Sequence, residues 1–142
     1  MKSILLNLIL LIGFGFTAKS QTGTLTVTVT GIQPDKGGAV SAGIFRKVDF
    51  PKDGKAFMAK YIAVMSKSMT MTFTGVPVGE YGVAIYQDKD SSKSLNTNLV
   101  GLPKEPIGFS NDARINFGPP SFEDARIAIE EGKTLKITVE LR

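Results

Sequence analysis

The chain is predicted to be all-β, an antiparallel β-sandwich of about seven strands. Three observations carry the prediction. Short runs alternate apolar with polar residues at period two and are rich in β-branched side chains, the pattern of half-buried strands. Clusters of Gly, Pro and Asp punctuate the runs. No segment past residue 20 has the length and apolar face of an amphipathic helix.

The first twenty residues stand apart. Lys2 precedes a mostly apolar run over residues 4–16, and the small residues Ala18 and Ser20 lie just before Gln21. This is the layout of a secretory signal peptide. Asn7 and glycines interrupt the run, which is shorter than the ~20 apolar residues a membrane span needs. Cleavage is expected before Gln21, leaving residues 21–142 as a single β-sandwich domain. That length can bury an adequate core.

Thr24-Leu-Thr-Val-Thr-Val-Thr30 alternates strictly, with Leu25, Val27 and Val29 on one face. Residues 31–38 hold Pro34, Asp35 and paired glycines and read as a turn. Residues 39–45 follow, with Val40, Ala42 and Ile44 on one face, as a strand returning beside the first. Asp49, Pro51, Asp53 and Gly54 make residues 46–60 a loop, with a short helix or strand open around residues 56–64. Residues 68–74 alternate again, Met69, Met71 and Phe73 facing inward as core rather than as a soft-metal surface. Val76-Pro-Val-Gly-Glu-Tyr81 is a tight connection into a strand over residues 81–86, whose core face is Tyr81, Val83 and Ile85. Residues 113–117 read as a short strand broken by Gly118-Pro-Pro120. Ser121 to Asp124 has the spacing of a capping box, but no helical run follows, so a turn is expected. The last strands are residues 125–129 and 134–141.

Composition removes much chemistry. The chain has no Cys and no His. That excludes disulfides, thiol catalysis and Cys-ligated metals. It also excludes His-based triads and His-ligated transition metals. Any metal must be hard and oxygen-ligated, which points to calcium. Without Lys2 and Lys19, 15 of the 17 basic residues remain against 13 acidic ones, a net +2 with no dense basic cluster. Nucleic acid is not an expected partner.

The most informative stretch is residues 88–110. It opens with alternating oxygen side chains and continues as an irregular segment fixed by Gly101, Pro103, Pro106 and Gly108. Loops this long inside a compact domain are uncommon and often functional. Asp88, Asp90, Ser92 and Asn96 stand at calcium-loop positions one, three, five and nine. Lys93 replaces the glycine of position six and Leu99 the bidentate Glu of position twelve, so the full pattern fails. Two carboxylates would make a weak calcium site unless backbone carbonyls or Glu105 help. The competing reading is an Asx-rich turn bonded to its own backbone. Residues 101–110 read as a proline-stiffened cover with Leu102, Ile107 and Phe109 packed inward and Lys104 and Glu105 solvated.

The ordered motifs resemble a known family. Val76-Pro-Val-Gly-Glu-Tyr, Tyr86-Gln-Asp-Lys-Asp, Leu95-Asn-Thr-Asn, Gly101-Leu-Pro-Lys-Glu-Pro, Gly108-Phe-Ser-Asn and Pro120-Ser-Phe-Glu-Asp-Ala are similar to those of the domain of unknown function 2141 family. The family comprises small exported bacterial proteins. The resemblance spans nearly all of residues 24–141. It implies an immunoglobulin-like or transthyretin (prealbumin)-like sandwich and no established activity. The chain departs from the family pattern at Gln87, where a His is usual, and at Ser92, Lys93 and Asn96.

The expected function is binding of a ligand or a cell-envelope protein partner through the 88–110 loop. The expected binding residues are Asp88, Asp90, Asn96, Asn98, Lys104 and Glu105. No cofactor is expected beyond weak calcium at Asp88, Asp90, Ser92 and Asn96. The protein is expected to be exported, periplasmic or secreted, without a membrane span after cleavage. A carboxylate-dependent hydrolase using Asp88 with Asp90, or Glu123 with Asp124, is the less favoured alternative.

Overall fold

The computed structural model describes residues 19–142. The expected signal segment, residues 1–20, lies almost wholly outside the described residues. Among the described residues there are eight strands: β1 (Thr22–Thr30), β2 (Ala39–Phe45), β3 (Met58–Ala63), β4 (Met69–Pro77), β5 (Gly79–Asp88), β6 (Ile107–Phe109), β7 (Ile127–Ile129) and β8 (Thr134–Glu140). One helical turn, α1 (Phe122–Ala125), precedes β7. No helix among the described residues is long and apolar enough to cross a membrane.

The strands form two facing sheets, as expected of an all-β sandwich. One has the order β4-β1-β8, and the other β3-β2-β5-β6 with β7 pairing the start of β5. β1 is antiparallel to β4 but parallel to β8, so the sandwich is not wholly antiparallel. In β1, Leu25, Val27 and Val29 are fully buried while the threonines face out. There Thr26 and Thr28 lie across from Thr72 and Thr70 of β4, with hydroxyls in hydrogen-bond contact.

Three sequence expectations are corrected. β2 does not return beside β1; it joins the other sheet between β3 and β5. The 31–38 connection is too long for a tight hairpin, and Gln87 of β5 anchors it. The Gln87 side chain accepts from Gln33 N–H (2.9 Å) and donates to the carbonyls of Gln33 (2.8 Å) and Gly37 (2.8 Å). Residues 113–117 form no strand, because Ile107–Phe109 takes the place beside β5. Ala113 and Ile115 pack instead on a cluster of phenylalanines. Ser121 does cap a helix: its hydroxyl accepts from Asp124 N–H at 3.1 Å, although only one turn follows.

The main core fills the space between the sheets, with Leu25, Val27, Ile44, Met71, Phe73, Val83 and Ile85 among its buried residues. A second cluster lies on the opposite, outer face of the five-stranded sheet. There Phe50 meets Phe45, Phe109 and Phe122 edge-on, with ring centroids 5.9–6.1 Å apart. Such pairs add about 0.5–1.5 kcal/mol each beyond the area they bury. A side chain at Gly82 would collide with the Phe50 ring, so a glycine there lets the phenylalanine approach the sheet. This cluster pins the 46–57 loop and α1 onto the outer face.

Candidate functional site

The five-stranded sheet therefore carries loops on its outer face. The inward rows of β2 and β5 are mostly large, while the outward rows are small at Ser41, Gly43, Gly82 and Ala84. Ser41 pairs with Tyr86 on one side and Tyr61 on the other; Gly43 pairs with Ala84 and Ala59. Loops on three sides stand higher than this floor. The result is an open groove of about 570 Å³, within the ~300–1,000 Å³ usual for small-molecule sites. Phe45 closes one end of the floor, and Phe109 of β6 flanks it beside Ala84. Ala56 and Pro51 come from one loop, Ile115 and Phe117 from another, and Leu95, Thr97, Val100 and Leu102 from the 88–110 loop. Leu102 is about half exposed and Val100 and Phe117 more so, which corrects the expectation that Leu102 packs inward. Ile107 is half-buried and Phe109 is buried.

Acidic groups hold the 88–110 loop to the sheet. Asp88 ends β5 on the same outer face as Tyr86 and is 0% exposed. Its Oδ2 accepts from the Tyr61 hydroxyl and from Lys93 N–H, both at 2.7 Å. Its Oδ1 accepts from Ser92 N–H at 3.1 Å. Glu105 is also buried, at 5% exposed, which overturns its assignment to solvent. Its two oxygens accept from Lys89 N–H (2.9 Å) and Asn96 N–H (3.1 Å). The exposed Asp90 accepts from Ser92 N–H (3.1 Å) and the Asn96 amide (2.7 Å). Ser91 and Lys93 take positive φ, 56° and 61°. For non-glycine residues such conformations persist only where surrounding contacts fix them, and the Asp88 bonds to Ser92 and Lys93 do so.

Asp88, Asp90 and Glu105 bring carboxylate oxygens within 4.8 Å of one another. Oxygen donors of this kind suit a hard cation. Ser92 Oγ lies 3.5 Å from Asp88 Oδ1, while Asn96 turns its amide nitrogen, not its oxygen, toward Asp90. Asn98 lies apart from the acidic group: its Oδ1 accepts from Val100 N–H (3.0 Å) and Leu102 N–H (2.9 Å) and shapes the loop tip. Lys104 is exposed and, like the three carboxylates, is not part of the groove lining. Hydrogen bonding to Ser92 holds the Asp90 carboxyl below the usual range. The bond to Asp88, with partial desolvation, raises the Tyr61 phenol above its usual value. Burial does the same for Tyr86 on the groove floor.

Sequence reading missed the groove and Tyr61's part in the acidic group. Its signal was the run of small outward residues Ser41 and Gly43 in β2 and Gly82 and Ala84 in β5, bounded by the outward Phe45 and Tyr86.

The sandwich and its motifs define a family. A family model described as "uncharacterized protein conserved in bacteria (DUF2141)" matches residues 27–138. The chain belongs to that family. No curated protein and no solved structure matches it.

Proposed function

We propose that the protein is an exported, non-catalytic binding module that takes a small ligand in the groove walled by the 88–110 loop. The observation that carries this is the groove itself. It is concave, mostly apolar and bordered by large side chains left in water, the usual character of a ligand site. The loop supplies one whole wall, in keeping with its proline-stiffened sequence. A carboxylate-dependent hydrolase finds less support, because the clustered acids lie outside the groove lining and Glu123 is paired with Lys47 and Arg126.

The test uses a neutral fluorescent apolar probe such as N-phenylnaphthylamine. Saturable binding is expected, and Ala59→Phe should abolish it by filling the exposed floor while leaving the melting temperature near wild type. Absent binding, or equal binding by the Phe variant, refutes the groove as the site.

A second reading places weak calcium at the acidic group, and the convergence of Glu105 on Asp88 and Asp90 favours it. These residues supply carboxylate oxygens, with backbone and water completing the six to eight ligands calcium takes. Millimolar calcium added to chelator-treated protein should raise the melting temperature, and Asp90→Asn should remove the rise. An unchanged wild-type melting curve disposes of the site.

A further inference from the structure

The edges of a sheet expose unpaired backbone groups, and folds block them with charge, proline, bulges or a covering segment. Most edges here are blocked. Beside β8, Ile107 and Arg142 exchange N–H···O bonds at 3.1 Å and close one side of the sandwich. β6 and β7 are three residues each. On β3, Lys60 stands in the inward row between Met58 and Ile62, opposite the buried Ala42. A charge pointing inward from an edge strand opposes pairing there.

β4 is the exception. It pairs with β1 alone, and residues 68–78 hold no charged side chain. In β1, Thr24 N–H donates to Lys133 O and Thr30 O accepts from Leu141 N–H, so the even-numbered residues bond toward β8. The alternate residues Leu25, Val27 and Val29 bond toward β4, where they face Phe73, Met71 and Met69. Thr70 and Thr72, between these, turn N–H and C=O to the outside. Both residues are exposed, and among the described residues no other group bonds their backbone. The flat stretch is short and symmetric about Met71. The chain turns before Met69; after Phe73 the register slips by one residue and Gly75 takes φ 65°.

We propose that β4 pairs with β4 of a second copy of this chain, antiparallel about a two-fold axis at Met71, so that two β4-β1-β8 sheets join edge to edge. In this register Thr70 of each copy stands opposite Thr72 of the other, and each pair exchanges N–H···O bonds through the groups left free. Met69 meets Phe73 of the second copy on the inner face, a favourable sulfur–aromatic contact. On the outer face the hydroxyls extend the threonine ladder begun by Thr28 with Thr70 (3.5 Å) and Thr26 with Thr72 (3.3 Å). A two-fold axis sets each side chain against its own kind, so a charged strand would repel itself; the neutral β4 does not, and this selects a second copy. Lys60 is the charge nearest the seam, reaching from the facing sheet to 5.7 Å from the Phe73 ring. Two such ammoniums and so short a contact place the dimer in the weak, transient class. The surface lies on the sheet remote from the groove, so the two readings stand or fall separately.

The experiment is sedimentation equilibrium of the protein from about 10 µM to 1 mM. A monomer–dimer equilibrium is expected. Thr70→Lys with Thr72→Lys sets like charges opposite each other in both cross-strand pairs and should weaken the dimer about fivefold. Thr70→Lys with Thr72→Glu sets opposite charges there and should return the dissociation constant to near the wild-type value. Amide exchange in the wild type tests the edge without any substitution: Thr70 and Thr72 should exchange more slowly as concentration rises, in proportion to the monomer that remains. A single species of monomer mass throughout overturns the proposal. So does a dimer that the double lysine variant leaves intact, or one whose Thr70 and Thr72 amides exchange as fast as in the monomer. Open-ended assembly beyond the dimer also overturns it, because a two-fold contact closes on itself.

Discussion

Asp88→Asn tests whether one buried carboxylate buckles the 88–110 loop to the sheet. Asp88 is fully buried and accepts from Tyr61, Ser92 and Lys93. The amide keeps one oxygen for Ser92 but places an NH2 group where Oδ2 stood. That group then faces the Lys93 N–H, donor against donor. A hydrogen bond to a charged group contributes about 1.5–3 kcal/mol, and an orphaned buried donor costs about 1–3 kcal/mol. These overlap at the Lys93 contact, so the expected loss is about 2–3 kcal/mol. Asp88→Ala orphans the Lys93 N–H and the Tyr61 hydroxyl, leaves Ser92 N–H to Asp90 alone, and should cost about 3–5 kcal/mol. The loss in global stability is capped by the free energy that docks the loop, because a detached loop has nothing more to lose. Two readouts are therefore needed. Urea unfolding gives the global change. Native-state amide exchange at Lys93 and Asn96 gives local opening, expected to quicken about 30- to 150-fold in Asp88→Asn. Unchanged exchange at those amides, with an unchanged urea midpoint, would refute the buckle.

Three further predictions follow from side chains around it. The Tyr61 phenol is raised in the fold, so its stabilisation is complete below the unfolded value of about 10 and is lost as pH rises through the folded value. Urea midpoints should therefore fall more steeply above about pH 10 in wild type than in Tyr61→Phe, and parallel curves would contradict the bond. Gln87→Leu orphans Gln33 N–H and two carbonyls and should cost about 2–4 kcal/mol by chemical denaturation; a change under about 0.5 kcal/mol would show that the crossover does not depend on it. Gly82→Ala would set a Cβ 2.5 Å from the Phe50 ring, so overpacking should cost about 1–3 kcal/mol, seen as a lower melting temperature.

The legible parts of the fold were those ruled by local periodicity. β1, β2, β5 and β8 announce themselves because one side of each strand is large and apolar and the pattern repeats every second residue. β6 did not, because Ile107-Gly-Phe109 is three residues long and shares its sequence with a cover segment. The sheet to which β2 belongs was also hidden. It depends on contacts between residues 33–37 and Gln87, fifty or more positions apart in sequence. The acidic residues Asp88 and Asp90 were visible by spacing, but Glu105 could be named only as a possible helper and was read as solvated, because fourteen residues separate it from Asp90. Proline-rich irregular chain gives no period from which burial can be read, so Glu105 looked like a surface charge. The groove is a still less local property. It arises where small residues on three paired strands coincide, and only the register of those strands places Gly43 beside both Ala84 and Ala59.

The acidic group and the groove are joined through the loop, and that gives the buckle a consequence for binding. A ligand in the groove meets the loop wall only while the loop is docked, so ligand and Asp88 bias the same equilibrium. As long as docking is favoured by more than the ~2–3 kcal/mol lost in Asp88→Asn, nearly every molecule stays docked and apparent affinity barely changes. Amide exchange, which reads the rare open state, responds in full to the same loss. Asp88→Ala, at about 3–5 kcal/mol, reaches the point where the docked fraction itself falls and the apparent Kd rises in proportion. Exchange should thus respond before affinity along the series wild type, Asn, Ala. A residue that touched the ligand would behave the other way, moving Kd at constant exchange. The order of the two responses therefore distinguishes a group that builds the wall from one that meets the ligand.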